Sequence, residues 1–466
     1  MTLVFEEIMT QGISQLSYMI GDDSAGVAAV IDPRPDVDVY IDLARKHEVT
    51  ITHIFETHIH ADFMSGSREL ADRAGSAKIY ASHEGGAESE YGFDHEGVKD
   101  GDQFELGKAI IKAAFTPSHT PEHMSYLLME KGQEDMPWGI LSGDCLFVGS
   151  AGRPDLLGAQ ETDKLATDLY KTLYDFYMQL DEDVIVYPCH GAGSACGANI
   201  GDRKHSTIGR EKRTNAFLQY EGKQEEFKKF VVEGAPPEPD HYSRLKKVNS
   251  AGPPILRNLP LIPGLTPKAF YEAVESGQNQ LVDTRHMLAF GGGHIQGAIS
   301  LGARSELSTW AGETLDPEKP ILLVLDNDVD LEDIVRLLLR TGFTQYAGYL
   351  VGGMTAWDNA GFAVQTLQQM SVHEVEAQKD KLQLLDVRSP GEWKNGHIPG
   401  ARHQYVAELN DVTSTLDKSK PIVTYCGSGY RASLAASMLQ KQGYVDVRNV
   451  PGSWKAWTKS NYPVET

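Results

Sequence analysis

The run Thr57-His-Ile-His-Ala-Asp-Phe-Met-Ser-Gly66 follows directly on the apolar segment ITHIFE. It sets His58, His60 and Asp62 at alternate positions, so their short side chains converge where a strand gives way to its loop. Three further apolar segments end in similar chemistry: FTPSHTPEHMSY supplies His119 and His123, GILSGDCLF supplies Asp144, and VIVYPCHGAGS supplies His190. One such histidine alone is an ordinary core or surface residue, whereas separate strand ends each delivering His or Asp form a metal-site pattern. A second constellation is Cys426-Gly-Ser-Gly-Tyr-Arg431, between the apolar segment PIVTY and the helical pattern ASLAASMLQ. Backbone N–H groups of such a loop point inward and the helix dipole favours negative charge there. The loop therefore suits a sulfur anion on Cys426, with Arg431 as a fixed positive charge and Gly427, Ser428, Gly429 and Tyr430 as the cradle.

At 466 residues the chain exceeds one hydrophobic core, and its length suggests about three domains. An internal repeat organises the second half. LVDTRHMLAFGGGHIQGA, starting at Leu281, recurs as LLDVRSPGEWKNGHIPGA, starting at Leu384. PILLVLDNDVDLEDIVRLLLRTGF, from Pro320, matches PIVTYCGSGYRASLAASMLQKQGY, from Pro421, without a gap. Each copy reads as strands alternating with amphipathic helices, which predicts a parallel sheet in each. In the first copy Leu325 takes the place of Cys426, and the loop DNDVDLED is acidic where an anion cradle needs glycine and arginine, so this copy is expected to be chemically silent. The boundaries fall near residues 250 and 366, giving domains 1–250, 251–366 and 367–466. The stretch from Glu233 to Pro260, rich in proline and charge, is expected to be an exposed connector or extended arm.

The four histidine and aspartate elements, in their order and context, resemble the metallo-β-lactamase superfamily over about residues 1–250, whose motif is His-x-His-x-Asp-His. This sequence departs from it at Phe63, where the final histidine, a ligand of the second of two metal positions, is replaced by a residue with no lone pair. A mononuclear site is therefore expected. Within the superfamily the resemblance is to persulfide dioxygenases, and it implies one Fe(II) per chain held by His58, His119 and Asp144, with zinc as the alternative metal. His60, Asp62 and His190 would then orient ligands or mark the second metal position. Arg153 matches an arginine that anchors the thiol substrate in that family; the alternative is a structural ion pair with Asp155. Cys196, in the glycine-rich turn HGAGSACG, is expected to be exposed enough to carry a persulfide, and Cys189 to be a buried small residue.

Residues 367–466 resemble the active rhodanese domain. Four residues separate Cys426 from Arg431, the spacing of sulfur transfer; phosphatases of that fold have one more. Asp386, Arg388, Glu392 and His397 match framework positions expected to stabilise the fold. Together these resemblances imply an α/β multidomain chain, an αββα metallo-β-lactamase sandwich followed by two rhodanese-like α/β domains with parallel sheets. They imply oxidation of a low-molecular-weight persulfide (of glutathione, coenzyme A or another thiol) by O₂ to sulfite, and sulfur transfer from Cys426 to sulfite. The alternative is a glyoxalase II-like thioester hydrolase fused to a rhodanese.

Composition narrows the partners. With 43 Lys plus Arg against 65 Asp plus Glu, the formal charge is −22, which repels nucleic acid and anionic membrane. Four cysteines are too few for a disulfide-stapled fold and suit a reducing cytoplasm. The opening MTLVFEEIMTQGISQLSYMIG lacks a basic stretch followed by an apolar block, so it does not read as a signal peptide. A homo-oligomer, dimer or tetramer, is expected.

Overall fold

The computed structural model describes residues 3–86, 89–235, 237–411 and 416–466. The chain divides into two compact units, residues 1–258 with 339–342, and residues 259–338 with 343–466. Among the described residues no helix is long and apolar enough to cross a membrane.

The first unit is a four-layer αββα sandwich. One sheet runs in the order Leu3–Thr10, Gln15–Asp22, Val27–Ile31, Thr50–Phe55, Lys78–Ser82, Glu96–Val98. The other runs Ser206–Thr207, Ile185–Pro188, Gly139–Gly143, Met124–Glu130, Ala109–Phe115, Gln103–Leu106. Alternation along the strands divides the core. Tyr18 and Ile20 face inward with Ala29, Ile31 and Phe55 to meet Ile111, Tyr126, Leu128 and Leu141 of the second sheet. Met19, Val30, Ile51 and Ile54 face outward under the helices Asp38–Lys46 and Ser67–Ala74. Ile140 and Val186 do the same under Ala159–Lys171 and Gln224–Glu233. In the second sheet Ala109–Phe115 and Gly139–Gly143 both run antiparallel to Met124–Glu130, and Ile185–Pro188 runs parallel to Gly139–Gly143. These three strands therefore point the same way, and their C-terminal ends bring the 116–123 loop, Asp144 and His190 to one edge.

The second unit holds two parallel five-stranded sheets of one topology. The first is ordered Gly264–Leu265, Tyr346–Leu350, Ile321–Val324, Gln280–Asp283, Ile299–Ser300, and the second Gln368–Gln369, Val447–Asn449, Ile422–Tyr425, Gln383–Asp386, Arg402–His403. The repeat in the sequence is thus a repeat in the fold.

The stretch from Glu233 to Pro260 departs from expectation. Instead of an open arm it contains the helix Tyr242–Ala251, which buries Tyr242, Leu245 and Asn249. Those positions, i, i+3 and i+7, form one helical face, a pattern hidden by the surrounding proline and charge.

Candidate metal centre and thiol loop

His58, His119 and Asp144 come together: their ligand atoms lie within 4.8 Å of one another, and all three residues are buried. His58 Nε2 and His119 Nε2 lie 3.7 and 3.8 Å from Asp144 Oδ2. His58 Nε2 and Asp144 Oδ2 have no hydrogen-bond partner in the protein although both are buried. An orphaned pair of this kind is costly unless something else satisfies it. Two imidazoles and one carboxylate gathered this closely fit a divalent transition metal.

Each of the three groups is held from behind. Thr57 Oγ1 shares a 2.9 Å bond with His58 Nδ1 and donates to Asp32 Oδ2 at 2.9 Å. His119 Nδ1 meets the main-chain oxygen of Arg153 at 2.7 Å. His190 spans two carboxylates, Nδ1 to Asp144 Oδ1 and Nε2 to Asp62 Oδ2, each at 2.7 Å. Burial opposes charge on His190, but Asp144 and Asp62 outweigh it and raise its pKa to about 10. The turn into Asp144 is as tightly specified: Gly143 has φ +51°, and a Cβ there would meet His123 Nε2 at 2.4 Å. His123 Nε2 instead accepts the Asp144 N–H at 3.0 Å, and burial pushes its pKa down to about 3, which keeps it neutral for that role.

His60 is not in the trio. Its Nε2 lies between Asp32 Oδ1 (3.1 Å) and Glu56 Oε2 (3.0 Å). Burial disfavours its charged form, yet these two carboxylates hold its pKa well above the usual imidazole range. Phe63 is buried with its ring centroid 4.4 Å from that of His60. Asp62 and His190 form a further group with Cys196, again within 4.8 Å. Asp32, Glu56, Glu122 and Asn249 also escaped sequence reasoning. Glu122 Oε1 accepts from Ile59 N at 2.8 Å, and Asn249 Nδ2 donates to the carbonyls of His60 and Phe63, each at 2.7 Å. Glu122 was legible only as an acid lying between His119 and His123.

Two expectations need correction. Cys196 is buried, not exposed, and burial pushes its thiol well above the ordinary range. The adjacent Gly197 serves close packing instead of exposure, since a Cβ there would meet the Phe147 ring at 2.7 Å. Arg153 is not free: its Nε and Nη2 donate to the two oxygens of Asp155, each at 2.8 Å, and Nη1 faces the carbonyls of Ala195 and Pro237. Its fork is thus engaged in the structural ion pair. Cys189 is buried as expected, and Cys145 is buried with its thiol pushed up to about 12 by burial.

In the second unit the loop from Cys426 to Arg431 joins the strand Ile422–Tyr425 to the helix Tyr430–Lys441. Gly429 adopts φ +101°, which turns its N–H onto Cys426 Sγ at 3.1 Å; a Cβ there would strike Pro451 O at 2.4 Å. Ser453 Oγ accepts the Cys426 N–H at 3.0 Å and pins the base of the loop. Gly427 and Ser428 are partly or fully exposed at its rim. Tyr430 turns away from the cradle: its hydroxyl donates to Gly302 O at 3.0 Å, in the first rhodanese-like copy. Glu392 pairs with Arg431 through both oxygens, at 2.6 and 2.8 Å.

Comparison with known proteins follows this division. The metallo-beta-lactamase superfamily model matches residues 11–190, and the rhodanese-like domain model matches residues 266–360 and 371–460. A solved metallo-beta-lactamase from Staphylococcus aureus subsp. aureus COL is 31% identical with a TM-score of 0.66, covering 75% of this chain and 98% of that one. The cytoplasmic hydroxyacylglutathione hydrolase of Arabidopsis thaliana is 36% identical over 138 residues, 29% of this chain and 51% of the relative. The uncharacterized protein YqhL of Bacillus subtilis is 34% identical over 91 residues, 20% of this chain and 72% of the relative. The chain thus spans about half the length of the hydrolase that it matches.

Proposed function

Because the chain belongs to the metallo-β-lactamase superfamily and carries two rhodanese-like domains, we propose that it is a persulfide dioxygenase joined to a sulfurtransferase, the three parts being residues 1–250, 251–366 and 367–466. The observation that carries this reading is the His58–His119–Asp144 trio, with its orphaned donor atoms and with Phe63 in place of a further ligand. His58, His119 and Asp144 would hold Fe(II), which would supply the redox chemistry between a persulfide and dioxygen. The chain's own contribution is orientation: Asp32 through Thr57, the Arg153 carbonyl, and His190 between Asp62 and Asp144 fix the three ligands before substrate arrives. The overall change is RSSH + O₂ + H₂O giving RSH, sulfite and two protons.

At the second site the Cys426 thiolate attacks the outer sulfur of another persulfide, releasing RSH and leaving a cysteine persulfide. The Gly429 N–H is placed to stabilise charge on that sulfur. Sulfite then takes the outer sulfur, giving thiosulfate and restoring the thiolate. Joining the two sites in one chain raises the effective concentration of sulfite at the acceptor site.

A second reading is favoured by a particular observation. Asp62, His190 and Cys196 offer ligands for another metal, and the likeness to a hydroxyacylglutathione hydrolase points to thioester cleavage by a zinc-containing centre. Metal analysis of protein purified without oxygen, with O₂ uptake measured on adding glutathione persulfide, separates the two. About one iron per chain and persulfide-dependent uptake support the dioxygenase. Zinc with thioester hydrolysis and no uptake supports the hydrolase.

A further inference from the structure

The two rhodanese-like copies share Asp-x-Arg and Gly-His in register, Asp283, Arg285 and His294 against Asp386, Arg388 and His397. Within the same register Ala289 stands where Glu392 stands, Leu325 where Cys426 stands and Asp330 where Arg431 stands. The carboxylate therefore goes with the thiol and the guanidinium, not with the framework.

Its geometry points the same way. Arg431 Nη1 and Nη2 donate to Glu392 Oε2 and Oε1 at 2.6 and 2.8 Å, the two-point fork by which arginine binds small oxyanions. A Cβ on Gly427 would stand 3.3 Å from Arg431 Nη2 and 3.8 Å from Glu392 Oε1, so the pair lies over the backbone of the thiol loop itself. Ser389 N and Oγ donate to Glu392 Oε2 at 3.0 and 3.1 Å and hold the carboxylate in this pose. Burial favours its neutral form, but Arg431 and Ser389 outweigh burial and lower its pKa to about 2. Glu313 and Glu408 add negative charge around Tyr405, which senses the same pair.

We propose that Glu392 is a specificity-determining residue of the thiol loop: its carboxylate fills the anion-binding fork of Arg431, so a small anion reaches Cys426 only by displacing it. Uncharged sulfur donors and acceptors are favoured over anions of similar size, and sulfite has to compete with Glu392 before it can take sulfur. The inference rests on reading Cys426 as the sulfur-transferring thiol.

The test is alkylation of Cys426 in the full chain by iodoacetate and by iodoacetamide, which are alike in size and differ by one charge. In both, the Cys426 sulfur forms a bond to carbon and iodide leaves. Glu392→Gln keeps an acceptor for Ser389 and removes the charge. It is expected to raise the iodoacetate-to-iodoacetamide rate ratio about tenfold, followed by peptide mass spectrometry. Glu392→Ala, the second variant, should raise it as well. General loosening of the loop would speed both reagents alike. An unchanged or lower ratio, or no modification of Cys426 by either reagent, overturns the proposal. Alkylation needs no persulfide and no turnover, so its outcome is separate from whether the chain makes thiosulfate.

Discussion

The two rhodanese-like copies have the same skeleton and different residues in the loop after the central strand. Arg285 Nε donates to Asp283 Oδ1 at 2.9 Å and Arg285 Nη2 to Gly293 O at 2.8 Å; Arg388 repeats this with Asp386 at 2.9 Å and Gly396 O at 2.7 Å. Trp357 Nε1 donates to Ala363 O at 3.0 Å, and Trp457 Nε1 to Pro463 O at 2.8 Å. His294 stacks on Phe290 at 3.8 Å and His397 on Trp393 at 3.4 Å. What differs is the turn after the central strand. One copy has a buried Leu325 and a short helical turn Asp328–Asp330 whose Val329 N–H is capped by Asn327 Oδ1. The other has a left-handed Gly429 that aims an N–H at sulfur. The buried polar network of the framework is the same in both copies, and the two diverge in one loop and in the carboxylate that pairs with its arginine.

The sharpest way to break this contrast is to move the thiol. Cys426→Ser is expected to lower thiosulfate formation by about a thousandfold or more, because no other group in the loop can carry the sulfur. Leu325→Cys in that background is expected to restore none of it, since the loop that follows carries Asp326, Asp328 and Asp330 and no arginine matches Arg431. Thiosulfate measured after adding persulfide and sulfite decides the matter; recovery in the double variant would show that a thiol at the strand end suffices. The framework arginines come next. Removing one partner of a buried pair costs about 3–5 kcal/mol, so Arg285→Met and Arg388→Met should both lower the urea midpoint of the second unit markedly. The loss at Arg388 should be larger by about 0.5–2 kcal/mol, because its guanidinium lies 4.3 Å over the Trp454 ring, where the first copy has Met354. Equal losses would place the whole effect in the ion pair.

Much of this was legible in the sequence because the informative residues are local. The histidine run, the repeat and the Leu325-for-Cys426 exchange need no tertiary knowledge, and the two parallel sheets follow from the repeat; the choice of His58, His119 and Asp144 as one set came from the family resemblance. The rest depends on contacts between distant segments. Asp32 reaches Thr57 across neighbouring strands, and Asn249 reaches His60 from a helix disguised by charge and proline. Glycines beside Cys196 looked like freedom and turned out to be close packing against Phe147. Arg153 carried a family role in its spacing, but only the fold shows Asp155 filling its fork. Glu392 matched a framework motif, and its link to Arg431 joins residues 39 positions apart.

The smallest expected effect tests whether the shared framework titrates. His294 is buried, its Nδ1 lies 2.9 Å from Phe290 O, and burial pushes its pKa down to about 4, with Arg285 acting in the same direction. The unfolded chain has an ordinary imidazole near 6.5, so between those values the unfolded state binds more protons than the folded one. Stability from the neutral, buried ring is therefore complete above about pH 6.5 and declines as the pH falls towards about 4, by at most about 1.4 kcal/mol per unit. His294→Gln removes this proton uptake. Urea unfolding followed by tryptophan fluorescence reports mainly on the second unit, which holds all six tryptophans except Trp138. The difference between wild type and variant should change across that window and level off above it, and carboxylates common to both cancel. A pH-independent difference would mean that His294 contributes only its stacking on Phe290, as a purely structural member of the framework.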